Sequence, residues 1–248
     1  SDLTDYLAEA QRPAFAWEFL RRDPLYRDDY GRMSQHLIGE TSADATALAL
    51  AHRWGLNFPC NPRQRSGEGV IFWDPNVLPT AIILAVASTE SASSLSFAHL
   101  PRSPLAIDRP DGRHLLLRDP GGDTQLWITA DAPSTAPVAA LLPFDDNLPQ
   151  RIEATLRFWQ RLTALQPPPV APLTIQQRRR LILMLRALDG WHQRTSYRDL
   201  AATLLDPMVH RQPHREWLTS PRRAQIIRLV RDAIRRMRGG YRDLLSGR

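Results

Sequence analysis

Residues 220–240 read Ser-Pro-Arg-Arg-Ala-Gln-Ile-Ile-Arg-Leu-Val-Arg-Asp-Ala-Ile-Arg-Arg-Met-Arg-Gly-Gly. Serine followed by proline marks a helix start: the hydroxyl can accept a free first-turn N–H, and the fixed proline φ suits the first helical position. Two glycines close the stretch, as at many helix C-termini. At 100° per residue, Ile226, Val230, Ala233, Ile234 and Met237 gather on one face. Gln225, Arg228, Arg231 and Arg235 fall on the opposite face, and Arg222 and Arg223 sit in the exposed first turn. Such a helix calls for a buried support beneath it and an anionic partner above it.

The support is written just upstream. Thr174 and Gln177 form a capping box, and the run Leu181-Ile-Leu-Met-Leu185 is apolar on all sides, which predicts a buried central helix ending at Asp189-Gly190. Ser196, with Asp199 three residues on, opens a further helix whose stripe is Tyr197, Leu200, Ala201, Leu204 and Leu205. This has the form of the first helix of a helix-turn-helix pair. One departure is plain: fourteen residues, Asp206 to Thr219, stand where a compact motif has three or four. Rich in His, Arg and Pro, they read as a wing-like or backbone-touching excursion. His210 and His214 lie four apart, but Cys60 is remote and no carboxylate pair is near, so they read as phosphate contacts and not as metal ligands.

Charge points the same way. Residues 171–248 hold 17 Arg against 6 Asp and Glu, a net of +11, while residues 1–170 hold 15 Arg against 20 acids, a net of −5; together they give the overall +6. Every basic residue counted is arginine, as GC-rich coding would produce. Coding bias explains the choice of arginine over lysine but not its concentration in one third of the chain, which predicts a polyanion-binding module. Arginine can take both acceptors of a guanine, glutamine can bracket an adenine, and a helix N-terminus can meet a phosphate. The expected duplex-DNA contacts are therefore Ser196, Tyr197, Arg198, Arg215, Ser220, Arg222, Arg223, Gln225, Arg228, Arg231 and Arg235.

Other classes find little support. Asp28-Asp29 and Asp145-Asp146 are paired acids, yet adjacent side chains point apart and no nucleophile or His/Cys cluster accompanies them, so no enzyme is expected. Gly67-Glu68-Gly69 and Gly121-Gly122 read as turns, because neither leads into a lysine and helix as a phosphate loop would. No cofactor and no metal are expected. There is no apolar run of eighteen residues, and the first nine residues carry Asp2, Asp5 and Glu9, so neither a membrane partner nor a leader is expected. With one cysteine, Cys60, the expectation is a cytoplasmic, nucleoid-associated protein.

The expected fold class is α+β. Residues 1–55 read as an N-terminal helical segment: Phe15, Phe19 and Leu20 recur at helical spacing, Asp23-Pro24 starts a second helix, and Ser42 caps a third that stops at Gly55. Trp17, Phe19, Tyr26 and Tyr30 read as core or interface. Residues 56–165 form a strand-rich central region with a closing helix. Its strands are expected at Val70–Trp73, Ala81–Val86, His114–Leu117, Leu126–Thr129 and Val138–Leu142, the last pair suggesting a hairpin in a small, mainly antiparallel sheet. The closing helix starts at Pro149, with Ile152, Leu156, Trp159 and Leu162 along one face. The proline-rich stretch 166–172 is the expected linker to a helical DNA-binding domain, residues 173–248.

Three of these runs resemble the DNA-binding domain of RovC-type activators: Arg-Arg-Leu-Ile-Leu-Met-Leu-Arg-Ala-Leu-Asp-Gly (179–190), Ser-Tyr-Arg-Asp-Leu-Ala (196–201), and Arg-Leu-Val-Arg-Asp (228–232) through Gly-Gly-Tyr-Arg-Asp-Leu-Leu (239–245). That family includes a regulator of type VI secretion genes and the FseA/QseM regulators of mobile elements. Trp-Glu-Phe-Leu-Arg-Arg-Asp-Pro-Leu-Tyr-Arg-Asp-Asp-Tyr (17–30) resembles the small domain preceding it, and Arg53-Trp54-Gly55 and Phe72-Trp73-Asp74-Pro75 match more loosely. The resemblance implies promoter binding, RNA polymerase as a further partner, and a homo-oligomer, a hexamer in the RovC case. Family members that act as antiactivators bind proteins, which supplies the alternative of a protein-binding adaptor.

Overall fold

Helices open the chain where apolar spacing places them: α1 (Arg12–Leu20), α2 (Pro24–His36) and α3 (Thr41–Arg53). The computed structural model describes residues 6–36, 41–88, 95–101, 103, 105–118, 122–129, 133–165 and 172–247; most of the proline-rich 166–172 stretch lies outside them. Phe15 through Leu20 are all buried, Glu18 included. Asp23 accepts the Leu25 N–H at 2.9 Å, the cap expected before Pro24. The third helix begins at Thr41, ahead of the expected Ser42 cap, and the chain turns at Gly55 with φ +73. A Cβ there would also come within 3.0 Å of Val77.

The chain divides into two units. One comprises Ser1–Gly31, Asn61–Glu68 and Pro172–Arg248; the other comprises Arg32–Cys60 and Gly69–Ala171. The N-terminal helix α1 thus folds with the C-terminal segment across the whole intervening region.

The second unit holds a five-stranded mixed sheet of β1 (Ile82–Val86), β2 (Ala106–Arg109), β3 (Gly112–Leu117), β4 (Thr124–Thr129) and β5 (Val138–Leu141), in the order β2-β3-β4-β1-β5. β1 runs parallel to β4, and the other three pairings are antiparallel. The expected hairpin between the last two strands does not form. β1 inserts between them and pairs Ile83 with Leu141, because burying its own apolar run needs a neighbour on each side. Nor is Val70–Trp73 a strand. It touches Leu56 through an isolated bridge at Trp73, whose N–H donates to the Gln125 side chain at 2.9 Å, so a side chain takes the place of a ladder. β2 escaped the sequence reading because Asp108 and Arg109 interrupt its alternation and its residues are only half-buried or exposed.

α4 (Leu148–Leu162) rests on this sheet through Phe158, Ala154 and Leu162, over a core of Ile82, Leu84, Leu115 and Leu126. The rest of its expected apolar stripe stays bare: Ile152, Leu156 and Trp159 are 48%, 50% and 47% exposed. Burial follows the narrower Ala154-Phe158-Leu162 line because only that arc meets the strands.

In the first unit, α5 (Ile175–His192), α6 (Tyr197–Leu204), α7 (His214–Thr219), α8 (Pro221–Arg235) and α9 (Arg242–Leu245) follow in order. The Thr174–Gln177 capping box forms as expected, with reciprocal bonds of 3.1 and 3.0 Å. α5 does not stop at Asp189-Gly190; it runs to His192, and the backbone turns left-handed at Arg194, φ +59. Gly190 has a different task. A Cβ there would lie 2.3 Å from Leu200, so the bare Cα is what lets α6 cross α5 closely. Leu181, Met184, Leu185 and Leu188 are buried, making α5 the central helix.

Candidate nucleic-acid interface

The segment between α6 and α8 is built by local chemistry. Asp206 accepts the Met208 N–H at 3.0 Å and opens a 3-10 turn over Pro207–Arg211, with Val209 fully buried. α7 then follows, with Trp217 buried. The excursion expected between the two helices is thus a 3-10 turn and a short helix. Ser220 ends α7 and caps α8 at once, its hydroxyl accepting the Arg222 N–H at 3.2 Å.

α8 buries Ile226, Val230 and Ala233 as its periodicity requires, with Leu229 joining them and Ile234 half-buried, and Met237 in the turn just after it is buried as well. Gln225, Arg228, Arg231 and Arg235 are exposed on the other side. Their surroundings differ. Among the described residues, Arg215, Arg223, Arg228 and Arg231 have no carboxylate within ion-pair distance. Arg222 donates to the Gln225 side chain at 3.1 Å and lies 3.6 Å from Asp206. Arg235 is 3.1 Å from Asp232, which also receives Arg180 at 2.8 Å.

Upstream, Ser196 accepts the Asp199 N–H at 3.2 Å and donates to its carboxylate at 2.6 Å, and Tyr197 beside it is exposed. Arg198 turns inward. Its guanidinium donates to the carbonyls of Val209, His210 and Gln212, tying the 3-10 turn to α6. His210 and His214 are both exposed, and His210 lies 3.8 Å from Asp199. Among the described residues no group of three or more His, Cys, Asp and Glu is placed to hold a metal ion, and no helix is long and apolar enough to cross a membrane.

The residues that sequence reasoning missed lie underneath. Glu18, fully buried on α1, receives Arg21 at 2.7 Å, Arg22 at 2.6 Å and the Ser66 N–H at 2.9 Å. Arg22 also grips Asp189 of α5 with two bonds, 2.6 and 3.0 Å. Arg178 of α5 returns the favour, donating to the carbonyls of Leu7 and Ala10. Burial works to raise the Glu18 carboxyl, but Arg21 and Arg22 outweigh it and hold the group below its ordinary value. The signal in the sequence is a glutamate within the apolar run of α1, with an arginine four residues on, just past the helix end.

Residues 141–246 match the model of the type VI secretion transcription factor DNA-binding domain, and residues 1–59 match that of a proteobacterial transcriptional regulator-like domain. Comparison with curated proteins and with solved structures found no match. The two matched segments contribute α1 and α5–α9 to one folded unit, and together they support a RovC-type, DNA-binding transcription regulator.

Proposed function

We propose that the chain is a sequence-specific transcription activator that reads duplex DNA with the outer face of α8 and acts as a homo-oligomer on type VI secretion or mobile-element promoters. The observation that carries this reading is a set of arginines that, among the described residues, have no carboxylate partner: Arg215 on α7 and Arg228 and Arg231 on α8, all exposed, and the half-buried Arg223. An open guanidinium on a helix surface can take a guanine edge or a phosphate at no cost in broken ion pairs. Arg228 and Gln225 are assigned to bases, and Arg215 and Arg223 to the backbone. Ser196, Tyr197 and the N-terminus of α6 flank the phosphates. Residues 173–248 act with residues 1–31, and the central region serves assembly. The half-exposed Ile152, Leu156 and Trp159 stripe supports that second role, since monomers seldom leave such a row uncovered.

Mapping bound genomic fragments yields the operator, and fluorescence anisotropy on that fragment then tests the reading. Affinity should fall steeply between about 50 and 200 mM salt. An affinity indifferent to salt, or a stoichiometric protein partner recovered without any retained DNA, overturns it in favour of an adaptor.

A further inference from the structure

A pocket of about 190 Å³ opens on the first unit, away from any residue assigned to bases. Its floor is apolar: Leu173, Leu181, Met184 and Leu244 all line it and are all buried. Its rim is cationic, with Arg12 from α1, Arg180 from α5, and Arg235 and Arg236 from the end of α8. Among the described residues the rim holds one carboxylate, Asp232, which is already shared by Arg180 at 2.8 Å and Arg235 at 3.1 Å.

The other two arginines are left short of negative charge. Among the described residues, Arg12 has no carboxylate partner. Arg236 spends one donor on the Gly240 carbonyl at 3.1 Å, and its nearest carboxylate, Asp243, is 3.8 Å away. Burial holds the Arg236 guanidinium below its ordinary value, and the charges of Arg235 and Arg12 act in the same direction, against Asp243 and Asp232. Two guanidinium groups of like charge thus face an apolar recess, a costly arrangement in the absence of an anion. An oxyanion between them would accept from two planar forks, and an apolar body behind it would cover the leucine and methionine floor.

We propose that this pocket binds a small organic acid, a carboxylate or phosphomonoester carrying a short apolar body, with Arg12 and Arg236 holding the anionic head. The size limits the guest to on the order of ten non-hydrogen atoms, below the usual 300–1,000 Å³ of drug-sized sites. A phosphate of the DNA backbone could use the arginines but not the floor, so the floor selects the free acid. Because the walls come from α1, α5, α8 and α9 together, the guest would act as an effector that ties the N-terminal segment to the helix carrying the exposed arginines.

The test is calorimetric titration of the full chain with hexanoate, with hexanol and inorganic phosphate as the two half-ligands. Hexanoate should bind in the sub-millimolar range, at least tenfold tighter than either half-ligand, and Arg12→Gln should lower that affinity tenfold or more while Arg12→Lys retains part of it. Urea unfolding of both variants separates loss of the ligand from loss of the fold; Arg12→Gln should unfold at an unchanged midpoint. Phosphate binding as tightly as hexanoate, equal binding of hexanol, unchanged binding by Arg12→Gln, or no binding at millimolar concentration each overturns the proposal. None of these outcomes depends on DNA affinity, so the DNA-binding reading stands or falls separately.

Discussion

Two groups of arginines in the first unit share a side chain and differ in everything around it. Arg22, Arg178 and Arg198 spend their donors inside the protein, on Glu18 and Asp189, on the carbonyls of Leu7 and Ala10, and on those of the 3-10 turn. Arg215, Arg223, Arg228 and Arg231 meet no carboxylate among the described residues. A buried guanidinium must be matched, since an unmatched one costs several kcal/mol, whereas an exposed one is hydrated by water until a phosphate replaces it. The net charge of this segment therefore overstates its interface. Part of the cationic charge holds helices together, and only the remainder is available to a partner.

The inner set carries the largest expected effects. Residues 173–248 expressed without α1 would leave Asp189 and Arg178 without their partners. That fragment should show no cooperative unfolding transition by circular dichroism, and a sharp transition would show the inner set to be dispensable. Next in size, Glu18→Ala should destabilise the first unit by about 3–5 kcal/mol in urea, because it strands a buried arginine. Acidification acts on the same group. A carboxyl held below its unfolded value contributes full stability above about pH 4.3 and loses it as pH falls through the folded value. Stability should therefore be flat above about pH 5 and drop below pH 4, and Glu18→Gln should flatten that acid limb.

On the outer side the effects are smaller and fall on binding instead of folding. Arg228→Ala should cost about 1–3 kcal/mol of affinity and relax base preference, read by anisotropy on operator and scrambled duplexes. Arg215→Ala should weaken all sequences alike and reduce the salt slope by about 1. Arg235→Ala should have the least effect, since Asp232 already offsets its charge. Equal losses at Arg235 and Arg228 would mean that ion pairing does not sort these residues at all.

How much of this was legible depends on distance along the chain. The starts of α5, α6 and α8 were readable at Thr174, Ser196 and Ser220, because a cap and its N–H are two or three residues apart. The outer face of α8 followed from period alone. β2 and the parallel pairing of β1 were not readable, since strand pairing is decided by neighbours far away in sequence. Sequence position alone makes Arg198 an expected DNA contact; the structure places its guanidinium on three carbonyls eleven to fourteen residues downstream, which no local rule could anticipate.

By itself, then, the sequence determined an α+β chain with an acidic front, a basic end and a helix that is apolar below and cationic above. These are properties of composition and of the 3.6-residue repeat. Only the tertiary structure decided which arginines are free. That depends on whether an acceptor is brought near from elsewhere, as Asp189 is to Arg22 across 167 positions, and such proximity is a result of packing. The same packing decided that α1 belongs with α5 and α8 and left an apolar pocket with two under-matched arginines between them.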